Sequence, residues 1–486
     1  MGEEIVRLNP QEVWSCFYCL TQIPRPSKKE EKIRAFMVDF GKRPGLESVV
    51  DEVGNVLISK PATAGMANRK GVILQAHLDM VPQKNSDKLH DFEADPIQTI
   101  IDGDWVRADG TTLGADNGMG VAAAMAVLAS QELQHGPIEV LLTTDEEAGM
   151  SGATGLKPGL LKGDILINMD SEEEGELFIG CAGGTNGRMI FRYHEQPLPP
   201  DSKGFRIKVT GLRGGHSGVD IHLGRGNANK IMNRILSHGQ RTCGLLLASI
   251  NGGSLRNAIP RESFAHIALP ADRVAEFLDH FSMLTNVIKQ ELSVVEPALK
   301  IEVITAELPE TVMEQAILVQ LLNAIYASPN GVVRMSNDMD GLVETSNNLA
   351  MVTSGNGTIT VDHLFRSSVD SARDDLEIML KSISDLAGAA SLFDGAYPGW
   401  KPNPDSPILK IMQEVYHQRF GNIPNVTAIH AGLECGILGG TYPDLDMISF
   451  GPTIRFPHSP DEKVNIPSVT KFWDFLVETL KSIPEK

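Results

Sequence analysis

The sequence predicts an α/β fold: a mostly parallel central sheet covered by helices, interrupted by an inserted α+β domain. Three observations point there. Short continuous apolar runs at 72–75, 138–142 and 164–168 alternate with helical patterns, as strands buried on both faces do. Near 181–187 this pattern breaks off, and from 205 the chain alternates as in Arg206-Ile207-Lys208-Val209 between longer helical stretches. After 396 the alternation of apolar runs with helices resumes, with another such run at 446–450. A chain of 486 residues exceeds one ordinary core, so two or three domains are expected. The boundaries read as 1–186 plus 396–486 for a discontinuous first domain, and 187–395 for the insert.

In chain order, 11–20 is helical, and 29–41 has helical spacing with Ile33, Phe36, Met37 and Phe40 on one side. Strands follow at 56–58 and 72–75. The Ala- and Met-rich stretch 118–133 reads as a buried helix entered from a turn containing Asn117 and Gly118. Strands at 138–142 and 164–168 complete the first segment. The insert then shows a strand from 205, a Gly-rich turn, a helix at 228–237, strands at 246–250 and 264–268, and a helix at 271–292. A similar order recurs as strand 300–305, helix 311–327, strands 349–353 and 358–366 and helix 376–387, which suggests two related halves. The stretch 398–407 reads as the return linker. A helix at 407–420, the strand 446–450 and a closing helix at 467–482 follow.

Composition excludes several function classes. A formal charge of -19 argues against nucleic-acid or anionic-membrane partners, which demand clustered Lys and Arg. Five scattered cysteines fit a reducing compartment and not a disulfide scaffold. The pair Cys16-x-x-Cys19 lies in an apolar helical segment without a second pair, and reads as core packing more than as a redox or zinc motif. The start Met1-Gly2-Glu3-Glu4 lacks a basic region and an apolar core, and Val6 stands where myristoylation needs Ser or Thr. The apolar stretch 121–129 is too short to span a bilayer. A soluble cytoplasmic protein is the expectation.

The chemistry is carried by acids and histidines at strand ends. In an open α/β sheet, functional groups collect beyond the carboxyl ends of the strands. The run at 72–74 leads to His77 and Asp79, that at 138–142 to Glu146 and Glu147, that at 165–167 to Asp170, and that at 447–450 to His458. Asp116 sits between glycines in a turn. Singly, each is an ordinary polar loop residue; jointly they form the donor set of a two-metal hydrolase. Two ions about 3.5–4 Å apart need one bridging carboxylate and separate terminal ligands, and Asp116 suits the bridge. Nitrogen-plus-carboxylate ligation favours Zn2+, with Co2+ or Mn2+ able to substitute. Adjacent Glu146 and Glu147 diverge, so one binds metal while the other stays free as general base. Asp79, two residues after His77, is placed to hold its ring. No G-x-S-x-G elbow, Walker loop or dinucleotide fingerprint competes.

The segments QAHLDMVPQ (75–83), GTTLGADNGMG (110–120), EEAGMSGA (146–153), DSEEEGE (170–176), GLRGGHSG (211–218), NAIPRE (257–262), YPGW (397–400), HAGLEC (430–435) and GPTIRFPHSPDE (451–462) together span the chain. In them the sequence resembles the M20 family of co-catalytic zinc peptidases, most narrowly its aminoacyl-histidine dipeptidases. The resemblance implies a zinc-peptidase catalytic domain carrying an inserted lid domain, and two Zn2+ per chain. His77 and Asp170 would complete one site, Glu147 and His458 the other, with Asp116 bridging. Glu146 would be the general base and Asp79 the orienting acid. In the lid, His216 would stabilise the oxyanion, and Asn257, Arg366 and Gly432 would bind substrate. The Asp116–Asn117 bond would be cis. The implied activity is hydrolysis of unblocked dipeptides, preferentially Xaa-His such as β-alanyl-histidine. The partners implied are a small peptide and, through the lid, a second copy of the chain; two lid halves would alternatively make one chain self-sufficient.

Read without the resemblance, the stretch 214–218 is a flexible turn, and Arg366 pairs with Asp362 or Asp370. His430 and Glu434 match no metal position and read as structural, and 172–174 reads as a solvated acidic loop. Another activity of the family (tripeptidase, aminoacylase or carboxypeptidase) remains open, as does a non-catalytic metal-binding protein of the same fold.

Overall fold

The computed structural model describes residues 2–43 and 45–486. Two compact units emerge: Met1–Cys181, Trp400–Ala428 and Leu433–Lys486 form the first, Ala182–Gly399 and Ile429–Gly432 the second. The short segment Ile429–Gly432 thus groups with the second unit, apart from the sequence neighbours on either side.

The first unit is built on an eight-stranded sheet in the order Glu47–Val50, Val56–Lys60, Ile138–Thr143, Val72–His77, Ile165–Asn168, Asp446–Ser449, Glu176–Cys181, Asn425–Ile429. The four central strands, from Ile138–Thr143 to Asp446–Ser449, run parallel, and antiparallel pairs flank them. All residues of Val72–His77, Ile138–Thr143 and Ile165–Asn168 are buried, which explains their continuous apolar sequence. The register sets His77 opposite Thr143 and Gln75 opposite Asn168, so the chain leaves these strands at one edge. Everything placed just after them is gathered there.

The helix Ala115–Ala129 is buried along nearly its whole length and packs on Gln11–Thr21. It begins before the expected start, across a kink at Asp116 and Asn117, whose backbones are not helical. It ends before 133 because Ser130 Oγ accepts the N–H groups of Glu132 and Leu133 and turns the chain away. Gly120 has no room for a side chain: a Cβ there would lie 2.7 Å from the Met169 carbonyl oxygen. Pro407–Phe420 and Ile466–Ser482 pack together through Tyr416, Phe420 and Phe475.

The second unit is a nine-stranded antiparallel sheet with the helices Ala228–Cys243, Val274–Glu291, Gln315–Ala327 and Asp370–Leu386. Its core joins Met232, Phe277, Leu321 and Leu380 from these helices to Ile207, Ile267, Val361 and Phe365 from the strands. Two β-α-β-β-α-β halves meet at the pairing of Leu246–Gly252 with Val343–Gly355. In both, the fourth strand lies beside the first, then the third and the second. The halves are not those the sequence suggests. Lys300–Thr305 closes the first half, and the second takes its first strand from Gly183–Arg192, before the first half begins. Thr311–Met313, expected as helix, is a short strand against Glu195–Pro197, in keeping with its β-branched Thr311-Val312.

Candidate metal centre

Five segments of the first unit bring their side chains to one place. His77 Nε2 lies 3.1 Å from Asp116 Oδ1 and 3.3 Å from Asp170 Oδ1. His458 Nε2 lies 3.1 Å from Asp116 Oδ2 and 2.9 Å from Glu147 Oε2. The two groups, His77–Asp116–Asp170 and Asp116–Glu147–His458, each have their donor atoms within 4.8 Å of one another, and they share Asp116. Glu146 joins a third grouping with His77 and Glu147.

The local backbone explains the convergence. His77 ends its strand, whereas Asp116 is presented by a turn with Gly114 at φ 69° and a cis bond between Asp116 and Asn117. The Asn117 amide donates to the Met169 carbonyl at 2.8 Å and to Asp170 Oδ1, tying the Asp116 turn to the end of the strand Ile165–Asn168. Asp145 and His458 both adopt left-handed backbone at φ 55° and 60°, a conformation that costs a non-glycine residue about 1–2 kcal/mol. Asp79 serves two segments at once. It faces His77 Nδ1 at 3.4 Å and accepts the N–H groups of Glu146 and Glu147, at 3.0 and 3.2 Å, at the start of Glu146–Gly149.

Electrostatically the site is an acid surplus. Burial alone would lower the His77 pKa, but Asp170, Asp116 and Asp79 hold it well above the ordinary value. Hydrogen bonds to Asp116 and Glu147 raise His458 to about 11. Burial raises Glu146 well above the usual carboxylate range and Asp170 to about 6, each opposed by His77 and reinforced by neighbouring acids. Burial would also raise Asp79, yet its His77 contacts and the Glu146 N–H bring it down to about 2. Glu147 Oε1 is buried without a hydrogen-bond partner among the described residues. Two imidazoles, a shared carboxylate and an orphaned carboxylate oxygen fit a pair of divalent cations.

In the second unit, two of the expected substrate residues, Asn257 and Arg366, and the expected oxyanion donor His216 meet around Ser217. Its Oγ accepts from Arg366 Nε at 3.3 Å, its N–H donates to the Asn257 carbonyl at 2.8 Å, and His216 precedes it. Arg366, 5% exposed, also donates to the Tyr397 hydroxyl and meets no carboxylate among the described residues. Asp362 is instead paired with Arg188 and Arg256, and Asp370 with Arg373. His216 Nδ1 accepts the N–H groups of Gly218 and Val219, leaving its proton on Nε2. Burial and Arg366 lower His216 to about 4, so the ring is neutral. The stretch 214–218 is therefore held in place and is no loose turn. Gly432 lies in the Ile429–Gly432 segment of the same unit.

Glu434 keeps its structural reading, whereas the acidic stretch 172–174 and the cysteine pair depart from theirs. Glu434 is fully buried and accepts from Gln75 Nε2 and Thr143 Oγ1, each at 2.6 Å, beneath the strand ends that carry the site. The acidic stretch 172–174 is not simply solvated. Burial and nearby Asp116 and Asp170 push Glu172 to about 8, Glu173 pairs with Arg455, and Glu174 accepts from Tyr416 and Lys471. Cys16 is only half-buried and Cys19 is exposed, because the buried stripe of their helix runs through Val13, Trp14, Phe17 and Leu20. Burial raises the Cys16 thiol to about 12, so its thiolate is disfavoured.

The chain is similar over its whole length to known proteins. The cytosol non-specific dipeptidase of Escherichia coli K12 is 48% identical over 486 residues, covering 99% of this chain and all of that protein. The crystal structure of the aminoacylhistidine dipeptidase from Vibrio alginolyticus superposes with a TM-score of 0.94 at 51% identity, covering 100% of this chain and 99% of that one. A tripeptidase of Staphylococcus aureus shares the fold at TM-score 0.57 and 17% identity, over 98% of this chain and 99% of its own. Residues 73–482 match the model of peptidase family M20/M25/M40, and the chain belongs to that family.

Proposed function

We propose that the chain is a dinuclear-metal dipeptidase that hydrolyses unblocked dipeptides, preferentially those ending in histidine. The observation that carries this reading is Asp116, which turns one carboxylate oxygen to His77 and the other to His458. Full-length likeness to two dipeptidases supports dipeptides as substrates and, from the E. coli relative, the cytosol as the location. One relative is non-specific and the other is an aminoacylhistidine dipeptidase, so the preference for C-terminal histidine is the finer part of the proposal.

His77 and Asp170 would hold one ion, Glu147 and His458 the other, with Asp116 between them. The imidazole and carboxylate donors favour Zn2+, with Co2+ or Mn2+ able to substitute. Bound ions of this kind supply Lewis acidity, which lowers the pKa of a water and polarises a carbonyl. The other tasks belong to side chains. Glu146 takes the proton of the attacking water and returns it to the leaving amine, a task suited to a carboxyl whose pKa burial has raised. Asp79 fixes the His77 ring. The Nε2–H of His216 is the donor for the oxyanion, and the Arg366 guanidinium binds the substrate carboxylate, with Asn257 and Gly432 as further substrate contacts.

A panel of free dipeptides, tripeptides and N-acyl amino acids, assayed on metal-loaded protein, tests the reading. Fastest turnover is expected on free dipeptides, β-alanyl-histidine among those cleaved. Preference for tripeptides or N-acyl amino acids would move the chain to another activity of the family.

A further inference from the structure

Neither Glu462 nor Arg25 donates to the metal groups, yet both grip the turn that presents Asp116. Glu462 is 2% exposed, and its carboxylate accepts four successive backbone N–H groups. Oε2 receives those of Leu113 and Gly114 at 2.7 and 2.9 Å, and Oε1 those of Ala115 and Asp116 at 2.7 and 3.2 Å. Arg25 is 3% exposed and reaches the same turn through carbonyls. It donates from Nη2 to the Gly114 oxygen at 2.5 Å, and from Nη1 to the Leu78 and Asp79 oxygens, both at 2.9 Å. Gly114 is thus held at its N–H by the anion and at its C=O by the cation. A Cβ on Gly114 would lie 2.6 Å from Arg25 Nη2, so a side chain there would displace the guanidinium.

We propose that Glu462 and Arg25 are positioning residues: a clamp across Gly114 that sets Asp116 relative to both histidines, and thereby the metal affinity of the site. The inference rests on the dinuclear reading of the site. Glu462 lies four residues after His458, so it locks the His458 loop to the Asp116 turn. Arg25 locks the same turn to the backbone of Leu78 and Asp79, next to His77. Each histidine is therefore fixed to the shared carboxylate by one arm of the clamp. Backbone N–H and C=O groups take up both buried charges without a salt bridge among the described residues, so the clamp does not compete for the metal-binding acids.

Removing one arm should loosen metal binding without removing a ligand. In Glu462→Gln the amide nitrogen would face two N–H donors, and two of the four contacts are lost. In Arg25→Lys the charge stays, but a single ammonium replaces the fork that spans three carbonyls. The test is titration of metal-free wild type, Glu462→Gln and Arg25→Lys with Zn2+ against a chromogenic chelator, alongside thermal unfolding of each metal-free protein. Wild type should take two ions per chain. Both variants should bind about 10- to 100-fold more weakly, as substitutions behind metal ligands generally do, and Glu462→Gln should weaken both ions because Asp116 is shared. Unchanged affinity in folded variants, whatever their Tm, would mean a purely structural role and overturn the clamp alone. A wild type that does not take two ions would overturn the dinuclear reading and the clamp together. If Glu462→Gln does not fold, Arg25→Lys decides.

Discussion

Asp79 accepts the Glu146 N–H at 3.0 Å through Oδ1, the same oxygen that faces His77 Nδ1. The orienting acid of one histidine is therefore also the anchor of the proposed general base. Asp79→Asn loses the charge on both contacts, and should lower turnover and metal affinity together by about 10- to 100-fold. Parallel measurement of kcat and Zn2+ affinity checks this. A fall in kcat with wild-type metal affinity would separate the two functions.

Glu146→Gln removes the proton acceptor but keeps the size of the side chain. Metal content should stay at the wild-type value while kcat falls about 10²- to 10⁴-fold. Metal analysis and steady-state kinetics on the same sample decide; near-normal turnover removes Glu146 as the base.

The convergence of these side chains was legible in the sequence because a parallel sheet delivers whatever follows its strands to one edge. His77, Glu146, Glu147 and Asp170 needed only strand positions and the carboxyl-end rule for open sheets to be grouped. Glu462 and Arg25 left no such signal. Their partners are backbone groups of a turn about 350 and 90 residues away in sequence, as hydrogen-bond separations of 347 and 89 record. The two halves of the second unit were blurred for a topological reason, since one half borrows a strand from before the other. Helix boundaries at 129 and 315 were decided by single side chains and β-branched residues, finer than hydrophobic period resolves.

Arg366 is a buried cation whose partners are two hydroxyls. Arg366→Ala should raise KM for free dipeptides at least about 10-fold, on the scale of a lost charge-assisted hydrogen bond, with a smaller change in kcat. The effect should vanish on dipeptide amides, which lack the carboxylate. Equal KM effects on acid and amide would remove Arg366 from carboxylate binding.

The second unit should be acid-sensitive. His363 is fully buried, and burial, with a smaller contribution from Lys230, lowers its pKa to about 3. An unfolded histidine titrates near 6.5, so the unfolded chain binds a proton first as pH falls. The stabilising contribution is thus complete above about 6.5 and is lost progressively towards pH 3. At pH 5 the loss from this one group is about 2 kcal/mol. His363→Gln should flatten the decline of Tm between pH 7 and 5, and an unchanged slope would contradict the assignment.

The claim that two metal ions share Asp116 is tested most directly by counting ions and activity on one sample. Metal-free protein is titrated with Zn2+ while release of histidine from β-alanyl-histidine and bound metal are followed together. Two ions per chain, histidine release that requires metal, and loss of the second ion in His458→Ala are the expected results. Saturation at one ion, or undiminished release of histidine from metal-free protein, would contradict it.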